Sequence, residues 1–138
     1  MSYGGDFYAL SDDQLTRILS GQLDGEAFLR NGLPERPADC FTGGEAVWHE
    51  LTKLLGPENA CGVDITDAVP VGGGCSASAD VQRTAEALTV LTKDELRHRY
   101  AVLDTRESFE SLYAVVLGLV SFYRRAGKAG HAVLFNIC

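Results

Sequence analysis

The sequence predicts an α+β fold, a small sheet that includes the N- and C-terminal strands and packs against about five helices. Three observations predict it. Residues 2–10 and 132–137 are rich in β-formers, helix-capping signals recur between them, and one further strand reads in the interior. A doubly wound parallel sheet would need strands alternating with helices throughout.

The first strand, residues 2–10, carries Tyr3, Phe7 and Tyr8, with Gly4 and Gly5 as its weak point. Ser11 and Gln14 then form a capping box for a helix whose apolar face is Leu15, Ile18 and Leu19, ended by Gly21. A helical turn follows at 26–30. Gly32, Pro34 and Pro37 make 31–39 a loop. Thr42 and Glu45 form a second box, opening a helix that stops at Gly56-Pro57. Val47, Trp48, Leu51, Leu54 and Leu55 share its apolar face, and Glu45, His49 and Lys53 the polar one.

Residues 67–72 read as a strand, placed at an edge by Pro70, and 72–78 as a glycine-rich turn. Val81, Ala85, Leu88 and Leu91 mark the next helix. Thr92 with Glu95 caps a short helix through Arg99, and Asp104 with Glu107 starts a long one to about Arg125. Phe109, Leu112, Tyr113, Val116, Leu119, Val120 and Tyr123 give the long helix a wide apolar face. After an exit at 127–130, the last strand carries almost no charge and is expected at the sheet centre.

With 138 residues and 46% hydrophobic content, the chain is expected to fold as one domain, 1–138. Its net charge of −7 is the wrong sign for a nucleic-acid binder. The longest apolar run, 112–123, falls short of the roughly 20 residues that span a bilayer. The N-terminus has no export signal, so a cytoplasmic protein with reduced thiols is expected. Charge divides unevenly: residues 1–67 hold 12 acids and 4 bases, residues 68–138 hold 7 acids and 8 bases. An acidic front half suits a partner with a basic surface.

Several segments, in order, resemble the YfbM-like family of uncharacterised bacterial proteins (domain of unknown function 1877). The run from Tyr3 to Ser11 is similar to that family's strand entering its first helix. Ala46-Val47-Trp48-His49-Glu50-Leu51 resembles its Trp-His helix, ending in Leu54-Leu55-Gly56. Residues 85–100 resemble its paired helices ending in Arg-x-Arg-Tyr, here Arg97 to Tyr100. Phe122-Tyr123 and Ala132-Val133-Leu134 resemble its closing helix and strand. The segment between Cys75 and Asp80 is shorter than the family's pattern, and the aromatic stretch after Arg-x-Arg-Tyr is missing. The resemblance implies a fold and carries no reaction.

Candidate chemistry is sparse. On its helix, His49 has Glu45 one turn before it, a spacing by which a carboxylate orients a general base. Trp48, Tyr8 and Tyr100 are the aromatic binding candidates around it. Cys75 follows three glycines ahead of a helix, where backbone amides can cradle an anion. No phosphate-loop motif accompanies it. His49, His98 and His131 fall on different elements and the four cysteines form no C-x-x-C pair, so neither a metal nor a cofactor is expected. Arg97, Arg99, Arg124, Arg125 and Lys128 form a candidate basic patch. The sequence reads as a non-enzymatic protein- or ligand-binding module, a class that includes inhibitor and immunity types. The alternative is a small enzyme or metabolite-binding protein with a cleft around His49.

Overall fold

The computed structural model describes residues 5–30, 32–42, 48–69 and 72–137, and of Trp48 the backbone. In chain order the elements are β1 (Gly5–Leu10), α1 (Asp12–Leu19), α2 (Gly25–Leu29), β2 (Asp39–Thr42) and α3 (Trp48–Leu54). A 3-10 turn, Gly56–Glu58, leads to β3 (Asp64–Thr66) and β4 (Gly73–Ser76). Then come α4 (Ser78–Thr89), α5 (Lys93–Ala101), α6 (Phe109–Ala129) and β5 (Ala132–Ile137). The strands form one antiparallel sheet in the order β2-β1-β5-β4-β3. The chain-terminal strands are neighbours, and β5 is central, as its lack of charge predicts.

Two hydrophobic clusters cover the two faces of this sheet. Phe7 and Ala9 of β1 and Val133 and Phe135 of β5 point into the larger one, built by α3 to α6. Tyr123 is its largest fully buried side chain, and its hydroxyl donates to the Ala60 carbonyl at 2.5 Å. Leu10, Ala132, Leu134 and Cys75 face the smaller cluster, closed by Leu15 and Ile18 of α1 and Phe28 of α2. Alternation along a strand enforces this division: each side chain joins one cluster and its neighbour the other.

Local signals set most helix ends. Ser11 and Gln14 make both hydrogen bonds of the capping box, each 3.0 Å. Thr92 accepts from the Glu95 amide, and Gly21 and Gly130 take the left-handed conformation after α1 and α6. Gly118 sits mid-helix because Phe41 of β2 presses against α6 there. A Cβ at position 118 would lie 2.5 Å from the Phe41 ring.

The structure corrects several expectations. Residues 72–78 are not simply a turn, because 73–76 form β4. Glycines are required there by close backbone approach: a Cβ on Gly73 would lie 1.8 Å from the Phe135 carbonyl oxygen, and one on Gly74 2.0 Å from that of Cys61. The interior strand expected at 67–72 lies at 64–66 instead, still at an edge. Strand β2 was hidden by the prolines before it, and it holds Thr42, paired with Asp6, in the position expected for a helix cap. Glu45, the other half of that box, lies outside the described residues, as does Val47. The long helix is capped by Ser108, which accepts from the Ser111 amide, not by Asp104. Leu19 is about half exposed and does not join the apolar face of α1.

Candidate functional site

Helix α3 buries Leu51 and Leu54 in the larger cluster, and Leu55 follows them, so His49 is turned outward and is exposed. The Trp48 side chain and Glu45 lie outside the described residues. Arg99 of α5 is fixed against the end of α3. Its guanidinium donates to the Leu54 carbonyl at 3.0 Å, to both Glu58 oxygens at 2.5 and 2.9 Å, and to Glu95 at 3.3 Å. The Glu58 hydrogen bonds raise its pKa further above the ordinary arginine value. Tyr100 donates to the Glu107 carbonyl at 2.7 Å and stands edge-on to Phe109, with ring centroids 5.6 Å apart. Thr105 hydrogen-bonds one Glu50 oxygen at 3.3 Å, and the other is buried with no partner among the described residues.

The aromatic candidates do not converge. Tyr8 is paired with Leu134 across β1 and β5, so its side chain leaves the sheet on the α1–α2 face. Tyr100 packs against the cluster on the opposite face, which also holds α3. A site containing His49 and Tyr100 therefore excludes Tyr8.

Cys75 is buried in β4. Burial pushes its thiol pKa up and the negative charge of Asp64 adds to the rise, which runs against formation of a thiolate nucleophile. The anion seat at the nearby N-terminus of α4 is already filled. Asp12 of α1 accepts from the Ser78 amide at 2.9 Å and from the Ser78 hydroxyl at 2.5 Å. Ala77, the N-cap residue, offers no side chain for that purpose. Burial raises the Cys61 thiol to about 12, and Tyr123 is raised by burial and, secondarily, by the charge of Cys61. Cys40, Cys61 and Cys75 are free thiols. Among the described residues no three His, Cys, Asp or Glu side chains gather as metal ligands.

Several acids of the front half are already engaged within the fold, two of them by cations of the second half. Arg17 holds Asp13 and Glu35, Arg30 holds Glu26, Arg99 holds Glu58, and Arg125 holds Asp39. Asp24 caps α2 as Asp12 caps α4. Of the expected basic patch, Arg97 lies over the Phe109 ring and Arg99 is taken by Glu58.

Two clefts keep charge available. The first, of 720 Å³, lies beside β3 and β4 between Thr52, Cys61 and Phe135, and carries Asp64 and Asp67 on its rim. Neither acid has a cationic partner among the described residues, and Ile65 between them is 95% exposed. The second, of 740 Å³, runs between α4 and α6 and is lined by Arg124, Arg125 and Lys128 with Glu86. Neither cleft is lined by His49, Tyr8, Tyr100 or Cys75. Sequence reasoning missed the acidic one. Its signal was a lone isoleucine in Asp64-Ile65-Thr66-Asp67, an apolar residue with no helical or strand partner for its face.

The family model for DUF1877, a domain of unknown function, matches residues 1–136. The fold is similar to the crystal structure of YfbM from Escherichia coli, itself a protein of unknown function. The TM-score is 0.72 at 19% identity, over 98% of this chain and 99% of that one. No curated protein matches the chain. Among the described residues no helix is long and apolar enough to cross a membrane.

Proposed function

The chain belongs to the DUF1877 family of unknown function, and we propose that it is a cytoplasmic, non-enzymatic binding domain that docks a basic, extended segment of a partner protein along β3. The observation that carries this reading is Ile65. It stands 95% exposed on an edge strand between two acids that have no cationic partner among the described residues. An edge strand offers unpaired backbone groups to an added strand, which gives affinity, while flanking side chains give specificity. Asp64 and Asp67 select lysine or arginine on the incoming segment, and Ile65 with the adjoining cleft takes an apolar residue between them. This keeps the partner charge that the acidic front half suggests, and narrows it to a short stretch of the surface.

The test is a paired affinity purification from the native cytoplasm, followed by calorimetry on the recovered partner. Wild-type protein retains a partner at low salt, and the Asp64→Lys/Asp67→Lys variant loses it. Ile65→Ser weakens the complex without changing its salt dependence. A partner held equally by all three proteins places the interface elsewhere.

A further inference from the structure

The groove between α4 and α6 has the opposite sign to the edge and to the chain as a whole. We infer that it is a second docking site, one that takes an acidic amphipathic helix from a partner protein. The two helices lie side by side, with Gly127 against Ala85 and Gln82. Because Gly127 has no side chain, the groove has a low apolar floor there. Val90, 77% exposed, stands at one end. Leu117, half exposed, continues the apolar line one turn before Ser121 on the same stripe of α6. Above this floor stand Arg124, Arg125 and Lys128 against a single acid, Glu86.

Arg125 is committed to Asp39 at 2.8 Å. Arg124 and Lys128 are exposed, with no hydrogen bond or ion pair among the described residues. The charge that remains is what fixes the occupant. A chain of net −7 repels acidic partners everywhere except where cations gather, so an anionic segment is steered to this groove. The length of α4, 12 residues or about 18 Å, matches three turns of a partner helix. Leucines of that helix cover Ala85 and Val90, and its glutamates reach Arg124 and Lys128.

The probe is a labelled 14-residue peptide with leucines at helical spacing and glutamates on the remaining faces. Its control has lysine at every glutamate. Both are titrated into the full chain with amide chemical shifts followed by NMR. The glutamate peptide shifts amides of α4 and the second half of α6, and the lysine peptide leaves them unmoved. Arg124→Glu/Lys128→Glu weakens the glutamate peptide at least about tenfold, with an unchanged circular dichroism spectrum. Val90→Ser weakens it several-fold and keeps the charge preference. Equal binding of both peptides, binding unaffected by the charge reversal, or shifts confined to other elements overturns the proposal. Laurate binding in the groove without peptide binding also overturns it, by assigning the groove to small amphiphilic anions.

Discussion

The β3–β4 edge and the α4–α6 groove are open clefts of nearly equal volume, yet they are built from opposite materials. The edge is backbone packed on backbone: Gly73 against the Phe135 carbonyl and Gly74 against that of Cys61. The groove is side chains on helices, and its glycine, Gly127, meets its neighbours only at ordinary contact distance. Similar openings therefore have different tolerances. Substitution along the glycines of the edge threatens the fold, whereas the groove has room for a small added side chain at Gly127.

The sharpest way to break this comparison is Gly73→Ala. The new methyl would sit 1.8 Å from a backbone oxygen of the central strand, so β4 or β5 must move. A loss above about 4 kcal/mol is expected, large enough to leave little folded protein. Urea denaturation checks it, and a loss below about 1 kcal/mol would mean that β4 does not pair with β5 in the register Gly73–Asn136.

Alkaline pH probes the edge next, because the half-buried Cys61 lines it. Its folded thiol holds a proton up to about pH 12, against an ordinary value of 9.0. The unfolded thiol ionises first, so stability is complete below pH 9 and falls between 9 and about 12. The slope from this one group is about 1.4 kcal/mol per pH unit. Tyr123, also raised, adds a loss of the same sign. Denaturation midpoints measured between pH 7 and 11 decline, and Cys61→Ala flattens part of the decline. Thiol-reagent mapping at pH 8 gives the matching kinetic result: exposed Cys40 reacts fast, and Cys61 and Cys75 slowly. Equal rates would contradict the burial of Cys75 and the partial burial of Cys61.

Legibility in the sequence follows the range of the interaction. The capping box at Ser11 and the N-cap at Thr92 were readable because donor and acceptor lie three residues apart. The central position of β5 was readable from its own composition. Strand β4 was not, because its glycines answer to Phe135 and Cys61, which composition cannot bring near. The same distance problem hid the acidic site. The front-half acids form a broad patch on paper, but Arg125 reaches Asp39 across 86 positions and Arg99 reaches Glu58 across 41. The charge left open at the surface is what remains after such pairs close. Of the expected basic patch, the three residues on α6 did meet at one groove, since they share one helix.

Asp12→Ala tests the joint between the two regions, where β4 ends and α4 begins. The Asp12 carboxylate takes the place of a missing side-chain cap on α4. Its removal should lower stability by about 1 kcal/mol, while Asp12→Asn keeps an acceptor and loses less. Thermal melts of the two variants distinguish a cap from a dispensable surface acid, for which both would be neutral.

The smallest expected effect has the opposite sign. Gly127→Ala replaces a helix-interior glycine whose new Cβ would meet the Ala85 methyl at 3.5 Å. No backbone carbonyl obstructs it, in contrast to Gly73. Alanine loses less backbone freedom on folding, so the variant should be more stable by about 0.5–1 kcal/mol. The same methyl raises the floor of the groove where a partner helix would lie. Stability and docking should therefore part company: a higher melting temperature with weaker binding of the glutamate peptide. If the variant is destabilised, α4 and α6 approach more closely at this crossing than the 3.5 Å contact allows. If it is stabilised and binds the peptide unchanged, the partner helix does not reach the floor, and the contact rests on Arg124 and Lys128 at the rim.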